Sequence, residues 1–340
     1  MVYKLKTILI DSGTTNSRIR LVDGVHNKVL DQVKINIGVR NTAIEGDNTN
    51  LKKSLKNSIQ EILNANNLSS TDISYIVASG MITSNLGVYE VPHITSPASF
   101  KDFASQSVVI KLEDFLNIPC IFVPGMKNIT LDNTVNPLES INEFDIMRGE
   151  EVETIGLLKQ VEVQGKGFMV LPGSHTKYVA IDEQKKLAFC LSTLGGEILQ
   201  AIQKETILSN SLDDGLIKTI DTAMLEKGYE AAKKYGLTRS FYHIRLLDLF
   251  TDLDENARAN YFVGAVICDD IKALMQSNKY EEVDWVIVGG SNPLRKVFVH
   301  LLRYINIGWE IIEASDEQVE SAMVHGTQEI ASEYLTTSQL

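Results

Sequence analysis

The 340-residue sequence lacks the motifs that mark the commonest nucleotide-binding folds. No GxxxxGK[ST] segment occurs, which excludes a P-loop enzyme, and no GxGxxG follows a strand, so the dinucleotide-binding fingerprint is missing. No apolar run approaches the roughly 18 residues that suggest a membrane span, and the first residues show no signal-peptide pattern. A cytoplasmic protein without a membrane partner is therefore expected.

Positive charge is also scarce. Lys and Arg number 32 against 44 Asp and Glu, the formal net charge is −12, and no Lys/Arg-rich run occurs. Because nucleic-acid binding requires a basic face, no nucleic-acid partner is expected. An acidic protein that handles phosphates must instead use backbone dipoles, Mg²⁺ and a few placed cations.

Residues that form disulfides or Cys/His metal sites are few. The three cysteines, Cys120, Cys190 and Cys268, lie far apart in apolar surroundings and form no CxxC pair. They are expected to be buried thiols. The six histidines show no metal-ligand spacing, so neither kind of site is predicted.

What the sequence does contain is a polar turn between two short apolar runs near its start. Residues 8–10 and 19–22 are typical of strands, so residues 8–23 are predicted to form a hairpin. Its connection consists of Asp11, Ser12, Gly13, Thr14, Thr15 and Asn16. Such a turn can cradle a phosphate, and an Asp at a strand end can hold a hydrated Mg²⁺. The same pattern also fits an ordinary solvated hairpin.

Residues 168–182 repeat this pattern about half a chain later. Gly173 and Ser174 take the places of Gly13 and Thr14. Two related hairpins in two halves of a chain predict a duplicated architecture. Within the second turn, His175 either bonds the backbone or contacts phosphate or substrate.

Two other predicted strands run into glycine-rich loops. Residues 72–79 lead into a loop at 80–87 that contains Ser84, Asn85 and Gly87, and residues 285–288 lead into a Gly-Gly-Ser-Asn turn at 289–292 that precedes a helix. Ligands of α/β proteins bind at the carboxyl ends of strands and at helix N-termini. Both loops are therefore candidate ligand contacts.

A helix is predicted to begin at Gly149. Glu150 and Glu151 would then lie in its first turn, where the helix dipole favours carboxylates. That preference alone explains both residues, so a catalytic role needs further support.

These segments, in this order, resemble the actin/hexokinase/heat-shock-chaperone ATPase superfamily, and within it the 2-dehydro-3-deoxygalactonokinase family of sugar-acid kinases. Residues 147–151, Met-Arg-Gly-Glu-Glu, and 171–177, Leu-Pro-Gly-Ser-His-Thr-Lys, are the specific motifs. The resemblance covers nearly the whole chain. It implies an α/β fold of two ribonuclease-H-like domains with an interdomain ATP cleft: residues 1–148, completed by a helix at 316–335, on the sugar-acid side, and residues 149–315 on the nucleotide side.

The resemblance also implies roles for individual residues. Asp11 would hold Mg²⁺, and the loop with Ser84, Asn85 and Gly87 would bind the acceptor. In related sugar kinases an Asp after a glycine is the catalytic base, and Glu150 stands at that place, so Glu150 is preferred to Glu151. Residues 193–197 depart from the family pattern, which leaves their role open. The residues implied to contact ATP are Gly13, Thr14, Thr15, Asn16, Gly173, Ser174, His175, Thr176, Lys177, Gly289, Gly290, Ser291 and Asn292.

The reaction thus predicted is ATP-dependent phosphorylation of the terminal 6-hydroxyl of 2-dehydro-3-deoxy-D-galactonate. Arg148 is expected either to pair with the substrate carboxylate or to form a salt bridge with a neighbouring acid. One alternative is a kinase for 2-dehydro-3-deoxygluconate, since few contacts read the configuration of one hydroxyl. Another is a non-catalytic ATP-binding regulator of the same superfamily. A homodimer is expected only because it is the commonest oligomer.

Overall fold

The computed structural model describes residues 5–128, 136–277 and 283–338. The chain divides into two compact units. The first comprises Met1–Glu162, Lys185–Phe189 and Glu317–Leu340, and the second comprises Val163–Gln184 and Cys190–Asp316.

The first unit contains a sheet of six strands in the order β3-β2-β1-β4-β7-β6. β2 is antiparallel to both of its neighbours, β1 and β3, whereas β1, β4 and β7 run parallel to one another. Ile8 and Ile10 of β1 pack with Leu55 and Ile59 of α2 in a buried core. The elements are β1 (Lys6–Ser12), β2 (Ser17–Asp23), β3 (Lys28–Ile35), α1 (Val39–Glu45), α2 (Thr49–Ala65), β4 (Tyr75–Gly80), β5 (Ile94–Thr95), α3 (Phe100–Gln106), β6 (Val108–Lys111), β7 (Pro119–Phe122), β8 (Met126–Lys127), β9 (Ile146–Met147) and α4 (Glu150–Leu158).

The second unit is organised around a sheet in the order β12-β11-β10-β13-β14. β10 is antiparallel to β11 and parallel to β13, which is parallel to β14. The long helix α8 is buried along most of its length. The elements are β10 (Gly167–Leu171), β11 (Thr176–Ile181), β12 (Leu187–Thr193), α5 (Gly195–Glu205), α6 (Thr222–Tyr235), α7 (Leu237–Phe250), α8 (Glu255–Gln276), β13 (Trp285–Val288), α9 (Leu294–Ile305) and β14 (Glu310–Glu313). The last helix, α10 (Asp316–Ser338), belongs to the first unit from Glu317 onward.

The two sheets share one arrangement. In each, an antiparallel hairpin (β1–β2 or β10–β11) is continued by a strand parallel to its first strand (β4 or β13). The predicted duplicated α/β architecture is confirmed. In each unit, a hairpin turn and the carboxyl end of a parallel strand therefore lie at the same edge of the sheet.

The unit boundary differs from the predicted one at residue 148. Helix α4 belongs to the first unit, because it packs backbone to backbone against α10. A β-carbon at Gly156 would collide with the carbonyl of Ala322, and one at Gly326 would collide with the carbonyl of Val152. Paired glycines let two helices approach this closely, and this contact cannot be read from either helix alone.

The cysteines are free and buried, as predicted. In the described ranges, no helix is both long enough and apolar enough to cross a membrane.

Candidate active site

The turn of the first hairpin is fastened by its own backbone and by α1. The Gly13 N–H donates to the Asn16 carbonyl at 2.9 Å, and the Val39 and Arg40 N–H groups donate to the carbonyls of Gly13 and Thr14 at 3.2 and 2.9 Å. The fold therefore fixes the backbone of the turn and leaves polar side chains outside. The exposed side chains are those of Thr14, Thr15 and Asn16.

Asp11 lies at the carboxyl end of β1, beside the end of β4, where Ser79 is its partner in register. About a quarter of its side chain, 26%, is exposed, and its Oδ2 lies 3.8 Å from Nη1 of Arg18. Burial raises the pKa of Asp11, and the positive charges of Arg20 and Arg18 oppose that rise. The carboxylate thus occupies a partly desolvated position at the sheet edge where a ligand would bind.

The surroundings of Asp11 fit a hydrated magnesium ion. The described part of the chain holds no group of three or more His, Cys, Asp or Glu side chains that could bind a metal. Mg²⁺ commonly keeps several waters and takes one or two carboxylates together with substrate phosphates. The neighbouring hydroxyl of Ser79 is buried without a hydrogen-bond partner among the described residues, so it is available to a metal-bound water.

Gly149 brings the segment 147–151 against the end of β4. It precedes α4 with a φ of +116°, a conformation that favours glycine. A β-carbon there would lie only 3.3 Å from Cα of Gly80, whose own added β-carbon would lie 3.5 Å from Oδ1 of Asp11. Three segments that are far apart in sequence thus meet through small residues, and the first turn of α4 begins beside Asp11.

The two glutamates of that turn differ sharply. Glu150 is partly exposed and its Oε2 accepts the Arg148 N–H at 3.1 Å. Glu151 is fully buried, and its two carboxylate oxygens lie 2.7 and 2.8 Å from the Gly149 N–H. Burial, helped by the charge of Glu150, raises the pKa of Glu151 to about 8. The geometry favours Glu150 as the residue that can reach a substrate, with Glu151 bracing the turn.

The buried carboxyl of Glu151 is expected to make stability depend on pH. Its pKa in the fold, about 8, exceeds the ordinary value of 4.5, so its contribution is fully present below pH 4.5 and is lost as pH rises through 8. The unfolding free energy of wild type relative to Glu151→Gln should therefore fall between pH 5 and 8, with a slope of at most about 1.4 kcal/mol per pH unit. Denaturant titrations of both proteins measure it, and parallel pH profiles would contradict it.

Arg148 ties this segment to the loop after β4. Its Nη1 donates to the carbonyl and hydroxyl of Thr83, both at 2.6 Å, and its Nη2 contacts the Val91 carbonyl at 3.0 Å and Nδ1 of His93 at 3.2 Å. Burial, Arg148 and Lys127 lower the pKa of His93 to about 4, so the neutral ring can accept. Four of the five guanidinium donors are used. Arg148 therefore forms no salt bridge with a neighbouring acid among the described residues, and at most one of its donors is left for the substrate carboxylate, the other predicted partner.

The loop at 80–87 is folded back on itself. The Gly87 N–H donates to the Ser84 carbonyl at 2.9 Å, and a β-carbon at Gly87 would collide with Ile82. The Ser84 hydroxyl is buried and donates to the Met81 carbonyl at 2.7 Å. It therefore stabilises the loop itself, a role that could not be recognised from the sequence. Asn85 is the exposed polar side chain of the loop.

The turn of the second hairpin carries a helix N-terminus. The Glu197 N–H donates to the Ser174 carbonyl at 2.9 Å, and a β-carbon at Gly196 would collide with the Gly173 carbonyl. His175 lies with Nε2 3.2 Å from Oε1 of Glu197. Gly196 and Glu197, which belong to the segment 193–197 whose role the sequence left open, thus support the turn. Gly173, Ser174 and His175 remain exposed.

Thr176 and Lys177 point into the second unit. The Thr176 hydroxyl is buried and donates to Oδ2 of Asp270 at 2.9 Å. Lys177 is 6% exposed, and its Nζ donates to the Ser192 hydroxyl at 2.6 Å. Both were predicted to contact ATP; in the structure their side chains anchor the hairpin from below. They follow the exposed turn residues 173–175 directly and are buried because β11 has already begun at Thr176.

The Gly-Gly-Ser-Asn turn lies beside this hairpin. Its Gly289 N–H donates to the Val170 carbonyl at 2.8 Å, and Gly290, with a φ of +71°, approaches the Pro172 carbonyl so closely that a β-carbon would clash. Asn292 donates to Oδ1 of Asp316 at 3.2 Å. A cavity of about 320 Å³ opens between hairpin, α5 and this turn. Its lining comprises Gly173, Ser174, Gly196, Leu199, Gln200, Gln203, Gly215, Leu216, Ile217, Pro293 and Leu294.

Comparison with known proteins decides the family. The sequence profile of the 2-keto-3-deoxy-galactonokinase family matches residues 11–326. The chain belongs to this family. It is 23% identical over 290 residues to the 2-dehydro-3-deoxygalactonokinase of Escherichia coli (strain K12), covering 85% of this chain and 87% of that protein. It is accordingly a sugar-acid kinase, a phosphotransferase.

Solved structures support the fold. A Sinorhizobium meliloti protein provisionally assigned as a 2-dehydro-3-deoxygalactonokinase superposes with a TM-score of 0.73 at 20% identity, covering 98% of this chain and 100% of the other. The activator of the 2-hydroxyisocaproyl-CoA dehydratase from Clostridium difficile, with bound ADPNP, gives a TM-score of 0.51 at 12% identity over 99% and 98% of the chains. The chain thus has the predicted actin/hexokinase-type fold.

One buried carboxylate near the second hairpin was not predicted from the sequence. Asp270 is buried in α8 beneath the second hairpin, and burial raises its pKa to about 6. Besides accepting from Thr176, its carboxylate packs against Gly195, at the start of α5. The sequence did show an Asp on the apolar face of a buried helix, which is unusual. Its role could not be predicted because its partners, Thr176 and Gly195, lie on two other elements.

Proposed function

We propose that the protein transfers the γ-phosphoryl group of ATP to the terminal 6-hydroxyl of 2-dehydro-3-deoxy-D-galactonate. Family membership supports a sugar-acid kinase. The observation that carries the proposal further is the meeting of Asp11, Gly80, Gly149 and Glu150 in the first unit. Asp11 would supply a carboxylate for the metal, and Glu150 a second, partly exposed carboxylate. The two glycines between them allow the backbone to come close to a ligand.

Phosphoryl transfer asks the protein mainly to position two reactants and to neutralise charge. Asp11 and the Ser79 hydroxyl would hold hydrated Mg²⁺, which when bound would neutralise charge on the phosphates. The fastened turn at 13–16 would present backbone N–H groups and hydroxyls to those phosphates. Glu150 would accept the proton of the acceptor hydroxyl as it attacks.

In the second unit, Gly173 and Ser174 would contact phosphate, and Gly289, Gly290 and Ser291 would flank adenosine. The cavity of about 320 Å³ supports a ligand site here, because it is lined by Gly173 and Ser174 and reaches Pro293, just after the Gly-Gly-Ser-Asn turn. Its apolar walls are Leu199, Leu216 and Ile217. Apolar walls with a few polar groups are typical of sites that bind a small ligand.

The acceptor would lie against the loop at 80–87. Asn85 offers an exposed amide that can both donate to and accept from sugar hydroxyls. Arg148 would act indirectly, since its bonds to Thr83, Val91 and His93 hold the loop in shape. The substrate carboxylate is therefore expected to be bound by a group other than Arg148.

A coupled assay of ADP release tests the proposal. With ATP and Mg²⁺, 2-dehydro-3-deoxy-D-galactonate should support turnover with a kcat/KM about tenfold or more above that of the gluconate epimer, because a misplaced hydroxyl leaves polar groups unpaired. Product NMR should show phosphate on the terminal carbon. A reversed preference would assign the epimer as substrate, and ADP release that no sugar acid stimulates would refute the proposal.

A further inference from the structure

A second surface cavity lies in the first unit, between strands β2 and β3 and helix α10. Its volume is about 990 Å³, and its walls include Arg20, residues 28–32, Gln160 and residues of α10 between Glu317 and His325. None of the residues assigned above to ATP, Mg²⁺ or sugar acid lines it. It is therefore a separate feature of the unit.

Arg20 is the unusual group of this cavity. Its side chain is only 6% exposed, and its Nη1 is buried without a hydrogen-bond partner. Among the residues that the structure describes, no hydrogen bond or ion pair of this guanidinium is found. Asp11 and Glu320 act on it only from beyond ion-pair distance. A buried guanidinium that has neither a direct ion pair nor a hydrogen bond among the described residues is costly.

The strand register explains how Arg20 reaches this position. It lies opposite Leu9 of β1 and Gln32 of β3. On the other strands of the sheet, Thr7 and Tyr75 hydrogen-bond to Gln328 of α10 at 2.8 and 3.0 Å. Those polar groups satisfy one another and leave none for Arg20. Buried polar groups are normally paired, so the guanidinium of Arg20 is available to a partner from outside the chain, and an anion would balance its charge better than water.

The charges of the rim restrict what that partner can be. Three carboxylates and one lysine lie around the opening, so a polyanion would meet repulsion. A single anionic group is favoured, because a guanidinium pairs bidentately with carboxylate or phosphate. The ionisable side chains of the rim are His26, Lys28, Asp31, Glu317, Glu320 and His325.

We propose that this cavity binds a small molecule with one phosphate or carboxylate group, which pairs with Arg20. The volume leaves room for a hydroxylated body besides the anionic group. The site is distinct from the proposed catalytic residues, and the inference does not depend on the identity of the sugar acid.

Isothermal titration with inorganic phosphate, acetate and glycerol phosphate, at constant ionic strength against chloride, tests the proposal. Wild type should bind at least one of them. Arg20→Met should weaken that binding about tenfold or more, since it removes a charge-assisted pair. Leu30→Trp, at a cavity residue that is 45% exposed, should obstruct the cavity and weaken binding even if the first variant folds poorly.

Arg18→Met is the matched control. It also removes one positive charge from β2, but Arg18 lies beside Asp11 and does not line this cavity. It should bind the anion as wild type does. The proposal is overturned if no probe binds, if Arg20→Met or Leu30→Trp binds like wild type, or if Arg18→Met alone loses binding, which would place the anion at the first hairpin instead. A response to only phosphate or only carboxylate would support the site and identify its ligand group.

Discussion

Glu150→Gln is expected to lower kcat by about 10²–10⁴-fold, the usual contribution of a general base, while nucleotide affinity stays near the wild-type value. The reason is geometric. Glu150 is partly exposed at the first turn of α4, where Gly149 touches Gly80 beside Asp11. The amide preserves size and can still accept the Arg148 N–H, so the turn should survive. Steady-state kinetics with separate nucleotide-binding measurements give both quantities.

Glu151→Gln is the matched control, one residue further along the same turn. Glu151 is fully buried, both its carboxylate oxygens face the Gly149 N–H, and its pKa is raised to about 8, chiefly by burial. A carboxyl that is largely protonated at neutral pH is a poor acceptor for a hydroxyl proton. This variant should keep kcat within a few fold of wild type, and the opposite pattern would exchange the roles of the two glutamates.

Asp11→Asn is expected to lower kcat/KM by at least about a hundredfold at ordinary Mg²⁺ concentrations and to shift the Mg²⁺ dependence to higher concentration. Removing the carboxylate removes the charge that would hold the ion, and metal-ion stabilisation of a phosphoryl oxygen is worth several kcal/mol. The isosteric amide leaves the β1–β4 register undisturbed. Initial rates across a Mg²⁺ titration at fixed ATP measure both effects.

Asp23→Asn serves as the control for this change. Asp23 closes the same hairpin at its other end, opposite Lys6, and its Oδ2 pairs with His26 at 2.9 Å. It should leave the Mg²⁺ dependence unchanged, because it lies at the opposite end of the hairpin from Asp11. If both variants or neither shifted the Mg²⁺ dependence, Asp11 would not be the ligand.

Local pattern was sufficient for the fold class. The apolar runs around residues 8–10 and 19–22 and their echo at 168–182 predicted two hairpins, and both formed because strand period and turn chemistry are local properties. The boundary between the two units could not be predicted from local sequence. It depends on Gly156 and Gly326 meeting across two helices from opposite ends of the chain.

The candidate site divides in the same way. Sequence by itself determined the exposed, turn-forming residues of both hairpins and the family to which the chain belongs, since these depend on residue type and order. Only the tertiary structure decided which polar groups are free to bind a ligand. Thr176, Ser84 and Arg148 resemble ligand contacts in sequence, yet their donors are used within the fold. Arg20 looks like an ordinary strand residue, but its Nη1 is buried without a hydrogen-bond partner among the described residues. Burial and hydrogen-bond pairing depend on neighbours distant in sequence, and that is why no local pattern could settle them.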